Sequence, residues 1–324
     1  MAGQNPFEIF LSATIDDLDL GLCGHGPIAW LDHWLNPRRL RGSDFLMRWS
    51  QGVWSEERLV AAVNSSNEFF ALPYGPSGVA PDDDPRKFEL YFERLERAGM
   101  AGVKRPDLLI FRASDRGEVE RFVQGIGGAQ ELPFTTEGAL DPLLRRAIMA
   151  VECENSLWVA SRMPAYGSQL TPQKRSGGKL GLRKNAVLPT VILKDEDVGP
   201  LRQWEEEKHI PIHIWHVFFD LAFGISFRRT SELINEGLIE PTSQTFQAPS
   251  GVTTTKVIYK IYYQYAYPLG ASAAKPELKA AFIEDKNGHI LPYVRFEGGS
   301  LALTPEAFRT MREVARGLGS RING

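Results

Sequence analysis

Three carboxylates interrupt what would otherwise be short apolar runs. Asp107 follows Pro106 and precedes Leu108, Leu109, Ile110 and Phe111. Glu152 and Glu154 lie in the stretch AIMAVECENS, Ala147 to Ser156, with the apolar segment SLWVA directly after. Side chains two apart on a strand share a face, so Glu152 and Glu154 point one way and Cys153 the other, into apolar packing. Burying like carboxylates side by side raises their pKa values and costs free energy unless a cation joins them. With Asp107 on an adjacent strand, three carboxylates can converge. Mg2+ suits such a group, because it takes one or two carboxylates together with waters and phosphate oxygens. A site of that kind activates water and neutralises charge building on a phosphate. Taken singly, Asp107 also fits a strand-entry turn, and the glutamate pair fits the solvated face of an edge strand.

The segment that follows is basic. From Asn155 through Leu193 no acidic residue occurs, while Arg162, Lys174, Arg175, Lys179, Arg183 and Lys184 all fall within it. In a chain of net charge -3 this is a local asymmetry, and the glycine-rich run KRSGGKLGLRKN reads as a flexible loop. A basic loop directly after a carboxylate strand suits a phosphate backbone crossing the site. The alternative is a solvated excursion. Lys194 closes the next apolar run and offers a further cation beside the carboxylates. Asp195, Glu196 and Asp197 precede a helix and read as first-turn carboxylates favouring its dipole. His213 and His216 are three apart on a strand and face opposite sides, which is poor ligand geometry.

The elements expected to position these residues alternate between helix and strand. Residues up to about 75 read as mostly helical, with Ser55 of SEERLVAAVN as a helix N-cap. A loop over Gly75–Pro85 leads to a helix over Arg86–Ala98, ended by Gly99. One of Glu89, Glu93 and Glu96 on that helix is a further candidate to reach the site. Strands are expected at DLLIFRA, IMAVECEN, Val187 to Lys194 and IPIHIWHVFFD, with helices between them as crossovers. The C-terminal part is β-rich, with a hairpin at Asn287-Gly288 and a closing helix from Thr304-Pro305. The expected fold is α/β: a central mixed sheet flanked by helices, a helical N-terminal region (1-80), a core (81-230) carrying an inserted basic loop (158-187), and a β-rich C-terminal region (231-324) packed on it.

Pro106-Asp107 followed in a later strand by Glu152-Cys153-Glu154 resembles the PD-(D/E)xK nuclease superfamily, in the E-x-E variant found among type II restriction endonucleases. The resemblance covers roughly Arg86 to Phe227. It implies a restriction-endonuclease-like core and a metal-ligand role for Asp107 and Glu152, with the backbone carbonyl of Cys153 as a further ligand. It puts Glu154 in the place usually held by lysine, where water is positioned or deprotonated; Lys194 is the alternative for that role. The spacing from Asp107 to Glu152 is longer than usual for the family. The resemblance implies an Mg2+-dependent enzyme cutting double-stranded DNA, acting as a homodimer if both strands of a symmetric site are cut. A repair or recombination nuclease, and a non-catalytic DNA-binding protein on the same fold, are the rival readings.

Other classes find no support in the sequence. No P-loop, no GxGxxG after a strand, no zinc spacing and no nucleophile elbow occurs. The two cysteines, Cys23 and Cys153, suggest a reducing compartment rather than a disulfide framework. The N-terminal residues lack a signal-peptide pattern, and no stretch approaches the roughly 18 apolar residues of a membrane span. A cytoplasmic protein is the expectation.

Overall fold

The computed structural model describes residues 43–76, 85–100, 102–174, 177–183, 186–247, 253–284 and 290–322. Cys23, Arg175, Lys184 and the Asn287-Gly288 turn lie outside them.

Seven strands form the central sheet: β1 (Phe69–Pro73), β2 (Leu108–Arg112), β3 (Met149–Asn155), β7 (Ile212–Val217), β8 (Leu221–Ser226), β11 (Tyr267–Ala274) and β14 (Ser300–Leu303), hydrogen-bonded in that order. β3 and β7 run parallel, and the other neighbours are antiparallel. The sheet is therefore mixed, as expected. It also crosses the 230/231 boundary, because β11 and β14 extend the same sheet as β2 and β3.

Strand alternation sorts the apolar residues into two layers. One face carries Leu109, Phe111, Ala150, Ile212, Ile214 and Ile225. It is covered by α3 (Arg116–Gly125), α4 (Glu137–Leu144), α5 (Asp195–Lys208) and α6 (Phe227–Asn235). The other face carries Leu108, Ile110, Met149, Val151, Trp215 and Val217, under α1 (Ser43–Asn64) and α7 (Pro305–Ile322). Every residue of β7 is buried, as a strand covered on both faces requires. The helix α2 (Pro85–Arg97) ends at Gly99, whose φ of +70° is the left-handed stop that glycine supplies.

Three expectations are corrected. Phe69–Pro73 is a strand at the sheet edge rather than part of a helical stretch, because Phe69, Phe70 and Ala71 are buried against both layers. Ser55 is interior to the 22-residue α1; its Oγ donates back to the Gly52 carbonyl at 2.7 Å instead of capping. The strand β6 (Thr190–Lys194) is shorter than expected and pairs with β10 (Thr253–Tyr262), which also pairs with β9 (Pro241–Gln247). β6 thus belongs to a separate three-stranded sheet. Its alternation explains this: Val191 and Leu193 are buried on the helix-covered side of the core, while Thr190, Ile192 and Lys194 keep one face open.

Two small antiparallel pairs complete the described strands. β4 (Thr171–Pro172) pairs with β5 (Leu180–Gly181) inside the basic segment. β12 (Glu277–Glu284) pairs with β13 (Ile290–Glu297), and Glu284 faces Ile290 across the expected hairpin. No helix among the described residues is long and apolar enough to cross a membrane.

Candidate metal centre

Asp107 sits one residue before β2. The β2/β3 register, Leu108 against Val151, continues to put Asp107 opposite Glu152. Its Oδ2 accepts the Cys153 amide at 2.7 Å, and its carbonyl accepts the Tyr74 and Gly75 amides at 2.7 and 3.0 Å. The N–H and C=O of one residue leave an extended strand on the same side, so the Cys153 carbonyl faces the Asp107 side too. The approach of Gly75 is tight: a Cβ there would stand 3.0 Å from both the Asp107 Cα and the Pro106 carbonyl oxygen. Arg105 anchors the same loop, its buried guanidinium donating to Glu137, the Leu132 carbonyl and the Thr135 carbonyl.

Glu152 and Glu154 share a face, as alternation requires, and Cys153 packs on the opposite layer. Among the described residues, the carboxylates that each offer an oxygen within 4.8 Å of the others are Glu152, Glu154 and Asp197. Asp197, expected only to favour the helix dipole, is in the first turn of α5 and turns its carboxylate into the site. Two ammonium groups lie among these acids. Lys194 Nζ is 2.8 Å from Glu154 Oε1 and 3.9 Å from Asp197. Lys104 Nζ contacts Glu152 Oε1 and lies 3.5 Å from Asp197. Neither Lys104 nor Asp197 was marked by the sequence; Lys104 precedes Arg105-Pro106-Asp107, so the motif's own flank was the available signal.

A fifth carboxylate comes from α1. Burial and then the charges of Asp107 and Glu152 push the Glu56 carboxyl well above the usual range. Of the helix glutamates proposed from sequence, Glu93 instead pairs with Arg97 on the surface at 3.4 Å.

The site is electrostatically short of positive charge. Burial first, then Asp107, raises the Glu152 pKa well above its ordinary value despite Lys104. Burial also raises that of Glu154, against the pull of Lys194. Burial alone would lower both lysines, yet Glu152 and Glu154 respectively hold them above the ordinary ammonium value. Two buried carboxylate oxygens, Glu56 Oε2 and Glu152 Oε2, have no hydrogen-bond partner among the described residues. Orphaned buried oxygens among five acids and two lysines fit a hard divalent cation.

The remaining candidates spread beyond this centre. Arg162, Lys174 and Arg183 are exposed on the basic segment. Lys179 is tied down, donating to the Glu236 and Gly237 carbonyls at 2.7 and 3.3 Å at the end of α6. His213 and His216 are core residues: His213 meets the Tyr267 hydroxyl at 3.0 Å, and His216 meets Ser156 Oγ at 2.8 Å. Burial lowers their pKa values to about 4 and about 3. Outside the basic segment, the surface cations Arg228 and Arg229 pair with Glu232, and Lys256 pairs with Glu196.

Among known proteins, residues 181–317 match the family model of the AccI restriction endonuclease. No curated protein and no solved structure matches the chain. The matched span contains Lys194 and Asp197 but not Asp107, Glu152 or Glu154. The match supports a type II restriction endonuclease, in agreement with the resemblance carried by the residues outside it.

Proposed function

We propose that this chain, similar over residues 181–317 to the AccI restriction endonuclease family, is an Mg2+-dependent type II restriction endonuclease that hydrolyses both strands of a short DNA site. The observation that carries the reading is one contact. Lys194, inside the matched segment, meets Glu154, outside it, at 2.8 Å. The motif carboxylates, which lie outside the matched segment, and the matched segment therefore meet at one cluster.

Asp107, Glu152 and Asp197 would hold the ion, with the Cys153 carbonyl on the same side and Glu56 behind. When bound there, Mg2+ supplies charge neutralisation on the phosphate and a lower pKa for water. The chain's own groups do the rest. Glu154, its pKa raised by burial, is suited to take a proton from the attacking water near neutral pH. Lys194 Nζ is placed to donate to a phosphate oxygen once it leaves Glu154, which keeps both residues in contention for the role lysine has in relatives. Arg162, Lys174 and Arg183 extend positive charge along the duplex, joined in sequence by Arg175 and Lys184. Two copies related by a two-fold axis would cut the two strands of a symmetric site, in the cytoplasm where such DNA is met.

The test is digestion of plasmid and sequenced phage DNA in Mg2+. Discrete bands are expected, and Asp107→Ala and Glu152→Ala are expected to abolish them while DNA binding in Ca2+ persists. Smearing or flap-specific cutting would favour a repair nuclease. Binding without cutting would favour a non-catalytic DNA-binding protein.

A further inference from the structure

Just past Glu154 the chain holds two large apolar side chains out into solvent. Leu157 is 41% and Trp158 56% exposed. The backbone beneath them is fixed rather than slack. Ser156 donates its amide to the Val217 carbonyl at 2.9 Å, and the Phe219 amide donates to the Trp158 carbonyl at 3.1 Å. Asp220, in the turn between β7 and β8, accepts the amides of Ala160 at 2.6 Å and Ser161 at 3.0 Å. A ring displayed on a clamped backbone loses little freedom when it meets a partner.

The partner is indicated by what surrounds the ring. Trp158 borders a cleft of 870 Å³ that also includes Ser156, Arg183, Thr190, Ile192 and Lys260. The open face of β6 carries Thr190, Ile192 and Lys194 in a row. Ile192 lines the cleft, and Lys194, which meets Glu154, is the next residue on that strand face, about 7 Å further along. Lys260 stands opposite Ile192 in the β6/β10 pairing. Among the described residues neither Arg183 nor Lys260 makes an ion pair, and Glu240 is the one acidic residue that lines the cleft. Two copies meeting face to face here would oppose like charges, whereas a polyanion carrying stacked bases complements both the cations and the ring.

We propose that Trp158, with Leu157, is a wedge that enters the DNA base stack beside the scissile phosphate, while Arg183 and Lys260 hold the strand leaving the site. The proposal rests on the nuclease reading and adds to it a residue that distorts the substrate. Opening a base step costs stacking, which ring–base contact and the adjoining phosphate contacts offset. The distortion bends the backbone where it must enter the carboxylate cluster. It also makes cleavage depend on how readily the sequence at that step opens, a source of specificity without base-edge contacts.

The experiment first locates the cut on plasmid DNA in Mg2+. Duplexes carrying 2-aminopurine at successive steps around that cut are then titrated with the full chain in Ca2+. Wild type and Trp158→Phe are expected to brighten one step adjacent to the cut severalfold. Trp158→Ala is expected to lose that signal and to bind about tenfold more weakly. Its single-turnover cleavage is expected to fall about as far, with its melting temperature unchanged. No brightened step with wild type, or the same brightening with Trp158→Ala, overturns the wedge while leaving the nuclease reading intact. A change in self-association with unaltered fluorescence makes the ring a subunit contact and overturns it as well. Absence of both cleavage in Mg2+ and binding in Ca2+ overturns the nuclease reading itself and the wedge with it.

Discussion

Replacing Glu152 by glutamine tests the electrostatics and the chemistry of the carboxylate cluster in one change. Glu152 is 3% exposed, and its Oε2 has no hydrogen-bond partner among the described residues. Burial, then the Asp107 charge, holds its pKa well above the ordinary value. A carboxyl raised in the folded state keeps a proton that the unfolded chain has released. Its stability penalty is therefore absent below the unfolded value of about 4.3, grows as pH rises towards the raised value, and is complete above it. Each tenfold gain in proton affinity on folding corresponds to about 1.4 kcal/mol. Glutamine removes the charge and keeps an oxygen for Lys104. The opposing loss is the Lys104–Glu152 attraction. Lys104 retains Asp197 at 3.5 Å, so the loss stays below the several kcal/mol that stranding a buried charge would cost. Relief of burial wins: without metal, Glu152→Gln should be more stable than wild type by about 1–3 kcal/mol at about pH 8. The two should converge near about pH 4. Saturating Ca2+ reverses the order, since an ion at a hundredfold its Kd adds about 2.7 kcal/mol to the protein that binds it. Thermal melts in EDTA and in Ca2+ at both pH values, with a cleavage assay in Mg2+, read all of this. A glutamine variant that melts below wild type in EDTA at high pH refutes the reasoning. So does one that Ca2+ stabilises as strongly as wild type.

Asp197→Asn should weaken divalent-ion affinity about tenfold to a hundredfold while leaving the fold intact, as calorimetric Ca2+ titration would show. Lys194→Met should lower single-turnover cleavage by about a hundredfold or more with DNA affinity in Ca2+ nearly unchanged; a rate close to wild type assigns the work to Glu154 alone. Glu154→Lys sets a second ammonium against Lys194, 2.8 Å from the present carboxylate oxygen, and should cut activity about a hundredfold without unfolding the chain, as rates and melts together report. Gly75→Ala forces a methyl to within 3.0 Å of the Asp107 backbone. It should cost about 1–3 kcal/mol of stability and reduce cleavage through displacement of Asp107, measured by denaturant melts and initial rates.

The parts of this site that the sequence made legible are those governed by strand alternation. Glu152 and Glu154 read as a same-face pair because a charge inside an apolar run is too costly to bury without a partner or an ion, and Asp107 read as their neighbour for the same reason. Lys194 was visible as a cation closing a strand. Lys104, Asp197 and Glu56 were not, because their roles arise from packing between distant segments. Lys104 is 48 residues from Glu152. Asp197 looks like any first-turn acid until β6 is found packed on β7, the strand that pairs with β3. Glu56 hid in Ser55-Glu56-Glu57, a pattern that imitates a helix start inside a longer helix. The error over β6 has a related cause: an apolar pentapeptide does not state which sheet it joins, and the partner, β10, lies some sixty residues further on.

The contacts of α1 have a consequence for how the protein comes into being. The helix that carries Glu56 is fixed from the far end of the described chain, with Trp54 Nε1 donating to the Gly298 carbonyl at 2.8 Å across 244 residues. Arg58 reaches Ser272 and the Ser300 carbonyl from the same helix. At about 5–20 residues per second, a ribosome needs roughly 12–50 s to make the residues in between. During that time α1 has β1, β2 and β3 to pack on, but its partners in β13 and β14 do not yet exist. Pairings this remote in sequence are also slow to find one another. The anchors that Trp54 and Arg58 make on either side of Glu56 thus form only after the residues near 300 have emerged. A nascent chain therefore holds the acid cluster without the far anchors of one of its helices, and the final geometry of that cluster is coupled to synthesis of the residues near 300.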